Sequence, residues 1–323
     1  MLNVQENDTK NSTAPIFVKK QPSSHYKKLI LEKNMAKVIT NEEVQESRLS
    51  KNNGTFDFSE DELNRYSRHI LLKDIGVEGQ KCIRNGRVLV VGAGGLGSPV
   101  ALYLAAAGVG TIGIADSDVV DLSNLQRQII HFTKDVGVDK VDSAKEKILA
   151  LNPNVKVNTY KIFLKVDNIL DIIKDYDFIV DGSDNFPTKF LINDACVMAE
   201  KPFSHGGILR FEGQTFTHLS GTACYRCLFT TPPSAGNVPT CSQAGVLGAI
   251  AGMLGTIQAA ETLKYLTGVG ELLTNKLLIF NSKTMDFQKV SVLKNLDCNI
   301  CGSHPTITEL IDHEQTVCKL KSH

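Results

Sequence analysis

Apolar positions between residues 87 and 180 follow two alternating patterns, and together these predict the core of the fold. Four short apolar runs are typical of buried parallel strands: 88–91, 111–115, 155–160 and 176–180. The intervening segments 100–107, 140–151 and 167–174 are predicted to be helices, the first because it is rich in alanine, the others because their apolar residues share one face. This alternation predicts an α/β fold with a doubly wound, mostly parallel, Rossmann-like sheet and helices on both faces.

The regions on either side of this core have other patterns. Ser59 and Glu62 form a capping-box pattern, which predicts that a helix begins there. After residue 200, strands are predicted at 203–208 and 214–218, a long helix rich in small residues at 244–266, and a hairpin at 277–281 and 287–293. These elements predict a C-terminal antiparallel part.

Composition divides the chain into three parts. Residues 1–57 are polar and lack a sustained apolar period, so we predict a flexible N-terminal extension. Met35 within it is a candidate for the true start of the protein. Residues 58–302 are predicted to form the folded domain, and 303–323 a C-terminal tail.

The charge balance argues against two classes of partner. The 323 residues contain 35 Lys and Arg and 35 Asp and Glu, so overall charge favours neither nucleic acid nor a membrane surface. No apolar run has the length of a transmembrane helix, and the N-terminal region lacks the apolar core of a secretory signal. We therefore expect a cytoplasmic protein.

A glycine-rich turn follows the first strand. Gly92, Gly94 and Gly97 form the pattern G-x-G-x-x-G, with Gly95 inside it. Such glycines let backbone N–H groups approach a phosphate, and the N-terminus of the next helix favours the anion. Asp116 ends the second strand, where a carboxylate can accept hydrogen bonds from a ribose. These features predict a nucleotide site.

The glycine pattern alone does not identify the nucleotide. It favours a nicotinamide or flavin dinucleotide, so an NAD(P)-dependent oxidoreductase remains an alternative. The residues after Asp116, however, include two cations, Arg127 and Lys140. An enzyme that cleaves ATP between its α- and β-phosphates needs such cations, because negative charge grows on the departing pyrophosphate. We therefore predict ATP as the nucleotide.

Four features carry a family resemblance. GAGGLGSP, DSDVVDLSNLQRQ, the Lys140 that follows and VDGSDN at 180–185 resemble the MoeB/ThiF/HesA branch of the ubiquitin-activating-enzyme superfamily, over residues 58–302. The resemblance implies an adenylyltransferase that uses ATP to activate the C-terminal glycine of a ubiquitin-like sulfur-carrier protein. It slightly favours the MoeB type, with a MoaD-like carrier in molybdopterin biosynthesis. The alternative is the ThiF type, with a ThiS-like carrier in thiamine biosynthesis.

The resemblance also implies which residues bind Mg·ATP. In this family Asp116 holds the ribose, Asn124 orients the phosphates, and Arg127 and Lys140 neutralise their charge. Asp118 is either a further site residue or a turn residue. The nucleotide-binding residues implied are Gly92, Gly94, Gly95, Gly97, Asp116, Asn124, Arg127, Gln128, Lys140 and Asp184.

Two further residues have competing interpretations. Asp184 in DGSDN is implied to be the Mg²⁺ ligand, because carboxylate oxygen suits that cation; a helix N-cap is the alternative. Arg68 in RYSRHI is implied to reach across a dimer interface to the partner subunit's ATP phosphates; a solvated surface side chain is the alternative. Arg65 is interpreted equally well as structural or functional.

Two C-x-x-C pairs predict a metal site. Cys224, Cys227, Cys298 and Cys301 have the spacing of a closed tetrahedral zinc site with a structural role, and the resemblance supports zinc. Four unconnected thiols and an iron–sulfur cluster are the alternatives. Cys241 lies just before the long helix, where a thiolate is stabilised; the resemblance implies a thioester, a persulfide link to the carrier, or no covalent role.

The resemblance implies partners as well. We expect a homodimer and, because only about twenty residues follow Gly302, a separate sulfurtransferase or cysteine desulfurase as sulfur donor. Three alternatives concern function: a catalytically silent scaffold, adenylation of a peptide, and adenylation of a tRNA base. The complete set of polar site residues argues against the scaffold.

Overall fold

The computed structural model of the chain describes residues 58–233 and 244–312. The predicted N-terminal extension, with Met35, and the cysteine Cys241 lie outside the described residues. The helices are α1 (Glu60–Ile70), α2 (Gly76–Asn85), α3 (Gly97–Ala107), α4 (Lys140–Leu151), α5 (Ile169–Ile173), α6 (Phe186–Met198), α7 (Tyr225–Leu228) and α8 (Gly248–Thr267). The strands are β1 (Arg87–Val91), β2 (Thr111–Ala115), β3 (Lys156–Tyr160), β4 (Phe178–Asp181), β5 (Phe203–Leu209), β6 (Glu212–His218), β7 (Lys276–Asn281) and β8 (Asp286–Ser291).

These strands form one sheet in the order β3-β2-β1-β4-β5-β6-β7-β8. The pairs from β3 to β5 are parallel, and those from β5 to β8 are antiparallel. Val91 at the end of β1 pairs with both Ala115 and Asp181, so the carboxyl ends of β1, β2 and β4 lie side by side. The predicted doubly wound sheet with an antiparallel C-terminal part is confirmed.

The sheet is buried on both faces. Val88 and Val90 of β1 belong to a core that includes side chains of α3, α4 and α8. Leu89 and Val91 point to the opposite face, into a core with α5 and α6. A strand with both faces buried needs an uninterrupted apolar run, as 88–91 provides. Each such side chain contributes about 1.5–3 kcal/mol by leaving water.

Glycine decides how closely α8 approaches α3. A Cβ atom on Gly255 would lie 2.4 Å from a Pro99 carbon and 2.6 Å from the Leu96 carbonyl oxygen, so no larger residue fits. Gly255 therefore serves the predicted close helix packing, whereas a Cβ atom on Gly252 would meet nothing within 4 Å. The helix itself begins at Gly248, later than the predicted start at 244.

The sequence pattern does not predict helices α2 and α6. Helix α2 contains two glycines and few apolar residues, so its intrinsic helix propensity is low. Its buried residues pack against other elements only in the tertiary structure. Helix α6 is buried on more than one side and contains the buried charges Lys189 and Asp194, which obscure any helical period. The capping box of α1 is confirmed, because Ser59 and Glu62 exchange side-chain and backbone hydrogen bonds.

Residues after 302 contact the domain. The Asp312 carboxylate accepts a hydrogen bond from the Val166 N–H at 3.1 Å, and Leu310 packs against the core that contains α5 and α6. The proposed boundary at residue 302 stays a prediction. Among the described residues, no helix combines the length and apolar character needed to cross a membrane.

Candidate active site

Three loops meet where β1, β2 and β4 end. The Gly92 N–H donates to the Ala115 carbonyl oxygen at 2.8 Å, and the Gly182 N–H donates to the Val91 carbonyl oxygen at 2.9 Å. A Cβ atom on Gly182 would lie 3.2 Å from the Gly97 backbone nitrogen, so the loop after β4 lies directly against the glycine loop. Polar groups on these loops therefore share one edge of the sheet, where ligands of doubly wound folds bind.

The glycine loop, residues 92–97, requires glycine at its two ends. Gly92 has a φ angle of +89°, in the left-handed region that favours glycine. A Cβ atom on Gly97 would lie 1.8 Å from the Gly92 carbonyl oxygen, which no side chain can relieve. The loop therefore turns back on itself before α3 begins, as a phosphate-binding turn does.

Asp116 contacts the glycine loop directly. Its carboxylate accepts a hydrogen bond from the Ala93 N–H at 2.8 Å and another from the Asp118 N–H at 2.9 Å. Burial raises the pKa of Asp116, and the positive charge of Lys140 works in the opposite direction. The carboxylate predicted to hold a ribose therefore also orders the glycine loop.

Lys140 is the first residue of α4 and is almost fully buried. Its Nζ donates to Asp118 Oδ2 at 2.8 Å, and its backbone N–H donates to the Asp118 carbonyl oxygen at 2.9 Å. Asp118 thus has a defined contact with a predicted site residue. The backbone hydrogen bonds of Asp118 support its interpretation as a turn residue, whereas its role as a further site residue stays a prediction.

Residues 124–128 form a turn beside the glycine loop. The Asn124 carbonyl oxygen accepts hydrogen bonds from the N–H groups of Arg127 and Gln128. A Cβ atom on Gly95 would lie 3.5 Å from Cγ of Arg127, and one on Gly94 would lie 3.6 Å from Nε2 of Gln128. The Gln128 side chain is buried, and its amide oxygen has no hydrogen-bond partner among the described residues. This turn therefore brings two predicted residues, Arg127 and Gln128, against the loop.

Asp184 is exposed on the loop between β4 and α6. The N-cap of α6 is the next residue, Asn185, whose side chain accepts the Thr188 N–H at 2.9 Å. The alternative interpretation of Asp184 as the cap is therefore wrong, and its carboxylate is left without a capping role.

A buried charge network lies directly before Asp184. Asp181 ends β4 and accepts hydrogen bonds from Lys189 Nζ at 3.0 Å and His205 Nδ1 at 2.9 Å. Its other oxygen accepts the N–H and hydroxyl of Ser183 at 3.0 and 2.5 Å. Burial by itself raises the pKa of Asp181, but the positive charge of Lys189 and the hydrogen bonds lower it to about 2. For His205, burial and the charge of Lys189 act in the same direction and lower the pKa to about 4. An ionised Asp181 therefore restrains the loop that carries Asp184.

His131 is a second buried group that the sequence interpretation missed. Its Nε2 donates to the Ala93 carbonyl oxygen at 2.9 Å, and its Nδ1 lies 2.8 Å from the Ser143 hydroxyl. The available signal was a polar residue inside the apolar run IIHF, since a buried polar group needs a partner. Asp181, directly after the apolar run 178–180, and Lys189, directly before the apolar run 190–192, gave a related signal.

The two arginines of α1 differ in their contacts. Arg65 Nη1 donates to the Leu151 carbonyl oxygen at 2.9 Å, which supports its structural interpretation. Arg68 is exposed, and within residues 58–233 and 244–312 its side chain has no hydrogen-bond or ion-pair partner. Its predicted role in a partner subunit stays a prediction.

The four cysteines of the C-x-x-C pairs come together. Their sulfur atoms all lie within 4.8 Å of one another, with 3.7 Å between Cys224 and Cys298 and 3.4 Å between Cys227 and Cys301. A zinc–sulfur bond of about 2.3 Å in a tetrahedron requires sulfur separations of about 3.8 Å. The donor set therefore fits a single tetrahedral metal ion, and the alternative of four unconnected thiols is wrong.

A buried salt bridge attaches this cluster to α6. Arg226, between the first two cysteines, donates through Nε and Nη2 to both oxygens of Asp194 at 2.7 and 2.6 Å. The adjacent Asn193 accepts the Tyr225 N–H at 2.7 Å. Bidentate pairs of this kind define orientation as well as distance, so α6 connects the Asp184 loop with the cysteine cluster.

Comparison with known proteins gives one family. A family model described as the ThiF family matches residues 66–301. The probable adenylyltransferase/sulfurtransferase MoeZ of Mycobacterium tuberculosis is 47% identical over 262 residues, 80% of this chain and 65% of MoeZ. The sulfur carrier protein adenylyltransferase of Thermus thermophilus is 46% identical over 263 residues, 80% of this chain and 97% of that protein. The chain thus spans less than two thirds of MoeZ and nearly all of the Thermus protein.

Solved structures share the fold. The crystal structure of E. coli MccB with AMPCPP and MccA has a TM-score of 0.66 and 24% identity, covering 76% of this chain and 75% of MccB. The crystal structure of PaaA has a TM-score of 0.64 and 25% identity, covering 85% of this chain and 84% of PaaA. The similarity to MccB concerns the fold alone.

Proposed function

Because the chain belongs to the ThiF family, we propose that it is an ATP-dependent adenylyltransferase whose substrate is the C-terminal glycine carboxylate of a ubiquitin-like sulfur-carrier protein. The relatives from M. tuberculosis and T. thermophilus are named adenylyltransferases, which supports the reaction type. The name of the Thermus relative supports a sulfur carrier as substrate.

One observation carries this proposal: the glycine loop, the buried Lys140 and the loop of Asp184 share one edge of the sheet. A polyphosphate needs backbone N–H groups and cations in one place. The glycine loop supplies the N–H groups, and Lys140 and Arg127 supply positive charge. Asp116, Asn124 and Gln128 complete the proposed nucleotide site from the neighbouring strand end and turn.

The proposed reaction transfers the adenylyl group to the carrier. A carboxylate oxygen of the carrier's terminal glycine attacks the α-phosphorus of ATP and forms a new phosphorus–oxygen bond. The bond from that phosphorus to the bridging oxygen breaks, and pyrophosphate leaves with the electron pair. No proton moves in this step, so Lys140 and Arg127 act as cations that offset growing negative charge. The site therefore needs no general base.

Asp184 is the proposed Mg²⁺ ligand. Its exposed carboxylate offers hard oxygen donors, as that cation prefers. Held by Asp184, Mg²⁺ would offset part of the negative charge of the phosphates. Ser183, anchored to the buried Asp181, restrains the backbone immediately before Asp184.

The metal proposed for the four cysteines is Zn²⁺, in a structural role. Four thiolates complete a tetrahedral shell and leave no position for a substrate. A cluster of several irons fits less well, because the four thiolates would then be divided among different irons and sulfurs on different irons would lie farther apart. The site would join the loop of Cys224 and Cys227 to the segment of Cys298 and Cys301.

The proposed partners follow from the chemistry of the product. The acyl-adenylate is an activated carboxylate. A sulfide-level sulfur nucleophile from a sulfur donor attacks its acyl carbon and forms a carbon–sulfur bond, AMP leaves with the electron pair of the broken carbon–oxygen bond, and a thiocarboxylate results. We assign this step to a separate sulfurtransferase or cysteine desulfurase, because the Thermus relative is named only for adenylation. A MoaD-like carrier is the first candidate and a ThiS-like carrier the second. Cys241 stays a candidate for a covalent link to the carrier.

A homodimer is also proposed. Arg68 projects from α1 without a partner among the described residues, which suits a cation that acts on the phosphates of the partner subunit. In that arrangement each active site would contain residues from two copies of the chain.

Carrier-dependent pyrophosphate exchange tests the proposed function. The protein is mixed with ATP, Mg²⁺, labelled pyrophosphate and each candidate carrier from the same genome, and labelled ATP is measured. Exchange is expected with a carrier that ends in a free glycine carboxylate and not with the same carrier amidated at its C-terminus. No exchange with any carrier, or tight binding of NAD(H) in place of ATP, would overturn the proposal.

A further inference from the structure

Ala93, in the glycine loop, is bonded at both of its backbone polar groups. Its N–H donates to Asp116 Oδ2 at 2.8 Å, and its carbonyl oxygen accepts from His131 Nε2 at 2.9 Å. Gly92 and Gly94 flank it, and glycine is the residue with the greatest backbone freedom. Two side chains from outside the loop therefore determine the conformation that its own sequence leaves open.

The bond to Ala93 determines the tautomer of His131. A carbonyl oxygen only accepts hydrogen bonds, so Nε2 carries the proton. The imidazole is 3% exposed, and burial lowers the pKa of His131, so the ring is neutral. Its Nδ1 lies 2.8 Å from the Ser143 hydroxyl, which also donates to Asp135 Oδ2 at 3.0 Å. Both ring nitrogens are thus occupied, and neither is available to a substrate.

His131 also joins separate parts of the proposed nucleotide site. Ser143 lies on α4, one turn after Lys140. His131 itself follows Gln128 by three residues, and its N–H donates to the Gln128 carbonyl oxygen at 3.1 Å. The His131 ring therefore connects the glycine loop with the helix that begins at Lys140, and its backbone N–H connects it to the turn with Gln128.

We propose that His131 is a positioning residue that holds the glycine loop at a defined distance from Lys140 for nucleotide binding. The effect on nucleotide binding rests on the proposed function, but the position of the glycine loop is a property of the free protein. His131 acts through Ala93 and Ser143 and does not touch the substrate.

Gln80 supplies a matched control. It is fully buried on α2, and its Nε2 donates to the Ala107 carbonyl oxygen at 2.8 Å, at the other end of α3. H131L and Q80L thus each remove one buried side-chain bond to a backbone carbonyl near α3. H131Q retains an amide N–H close to the position of Nε2.

Hydrogen exchange of the free protein measures the positioning, and ATP titration measures its consequence. A net hydrogen bond is worth about 1 kcal/mol, or about fivefold in an equilibrium constant. H131L is expected to accelerate amide exchange in residues 92–98 and to raise the ATP dissociation constant, each about fivefold or more. H131Q is expected to recover most of both, and Q80L to leave both unchanged despite a similar loss in Tm.

Each result bears on the inference separately. Unchanged exchange at 92–98 in H131L overturns it, as does an equal acceleration there in Q80L. Faster exchange with unchanged ATP affinity overturns the functional consequence. If wild-type protein binds no ATP, the proposed function fails, whereas the exchange data still decide whether His131 holds the loop. Should H131L not fold, S143A, which removes the hydroxyl at Nδ1 together with its bond to Asp135, is expected to change both measurements in the same direction, and no change overturns the inference.

Discussion

Lys140 and Asp118 form an ion pair between a buried cation and an exposed anion. The Nζ and Oδ2 atoms lie 2.8 Å apart, with 7% of the lysine side chain and 59% of the aspartate side chain exposed. The buried ammonium thus has its carboxylate partner on the solvent side. A buried charge without a partner is costly, so the pairing with Asp118 stabilises the ammonium in this position. An incoming phosphate would therefore meet a cation that the fold already holds in place.

Replacing Lys140 with methionine should reduce pyrophosphate exchange strongly. Removing a group that offsets transition-state charge costs about 3 kcal/mol, or roughly a hundredfold in rate. K161M is the matched control, since Lys161 also pairs with an aspartate, Asp139, but is well exposed. Steady-state exchange rates at saturating carrier compare the two. An equal loss of exchange rate in K140M and K161M would mean that Lys140 acts only through the general charge of the surface.

Replacing Asp184 with asparagine should change the response to Mg²⁺ more than the response to carrier. The amide oxygen is neutral and binds a hard cation less well than carboxylate does. D184N should require about tenfold or more Mg²⁺ for half-maximal exchange, since one lost charged contact is worth about 1.5–3 kcal/mol. D286N, at the start of the edge strand β8, changes an exposed aspartate elsewhere and should leave the titration unchanged. An unaltered Mg²⁺ titration in D184N would assign the metal to another residue.

The cysteine cluster should contain about one zinc per chain, because four thiolates close a tetrahedral shell. Elemental analysis of protein prepared without chelator measures the ratio. C298S and prolonged chelation should both lower the metal content and the Tm. C82S controls for loss of a thiol outside the cluster and should retain the metal. A preparation with far less than one zinc per chain and full stability would contradict the structural role.

Acid should destabilise the fold through His205. Burial and Lys189 lower its folded pKa to about 4, below the ordinary 6.5, so between these values the unfolded chain binds the proton more readily. The contribution of His205 is present above about pH 6.5 and is lost as pH falls towards 4, by about 3 kcal/mol in the free energy of unfolding. Asp181, with its pKa lowered to about 2, stays ionised in this window.

H205N tests this pH dependence. The asparagine amide retains an N–H for Asp181 but does not titrate. Urea unfolding at pH 7 and pH 4.5 should therefore show a smaller acid loss in H205N than in wild type. The other buried histidines are present in both proteins and cancel in the comparison. An equal acid-induced loss of unfolding free energy in the two proteins would show that protonation of His205 does not destabilise the fold.

Mixed dimers test the role of Arg68. If Arg68 acts on the partner's phosphates, R68A and K140M each disable the sites in a homodimer. In a mixed dimer one site loses both residues and the other retains both, so partial exchange activity should return. Differently tagged chains, purified as mixed dimers, give the measurement. R65A paired with K140M is the control, because Arg65 bonds to Leu151 of its own chain. No recovery in verified R68A/K140M dimers would place Arg68 outside the partner's site.

Some residues of the candidate site belong to a recognisable pattern in the neighbouring sequence, and others do not. Gly92 and Asp116 each directly follow an apolar run, so the sequence alone predicts that they lie at strand ends. His131 and Ala93 are 38 residues apart, and Asp181 and His205 are 24 apart. In the sequence, the only sign of such a pair is a polar residue in or beside an apolar run. This sign indicates that the residue has a partner but does not identify it.

The sequence by itself determined the alternation of strands and helices, the glycine turn, the two C-x-x-C pairs and the family resemblance, because each is a pattern within a short segment. Only the tertiary structure decided that Asn185 rather than Asp184 caps α6, that Asp118 pairs with Lys140, and that the cysteine sulfurs meet. The physical reason is burial: a charged or polar group removed from water must find its partner in space, and strand order brings together residues that the chain keeps apart.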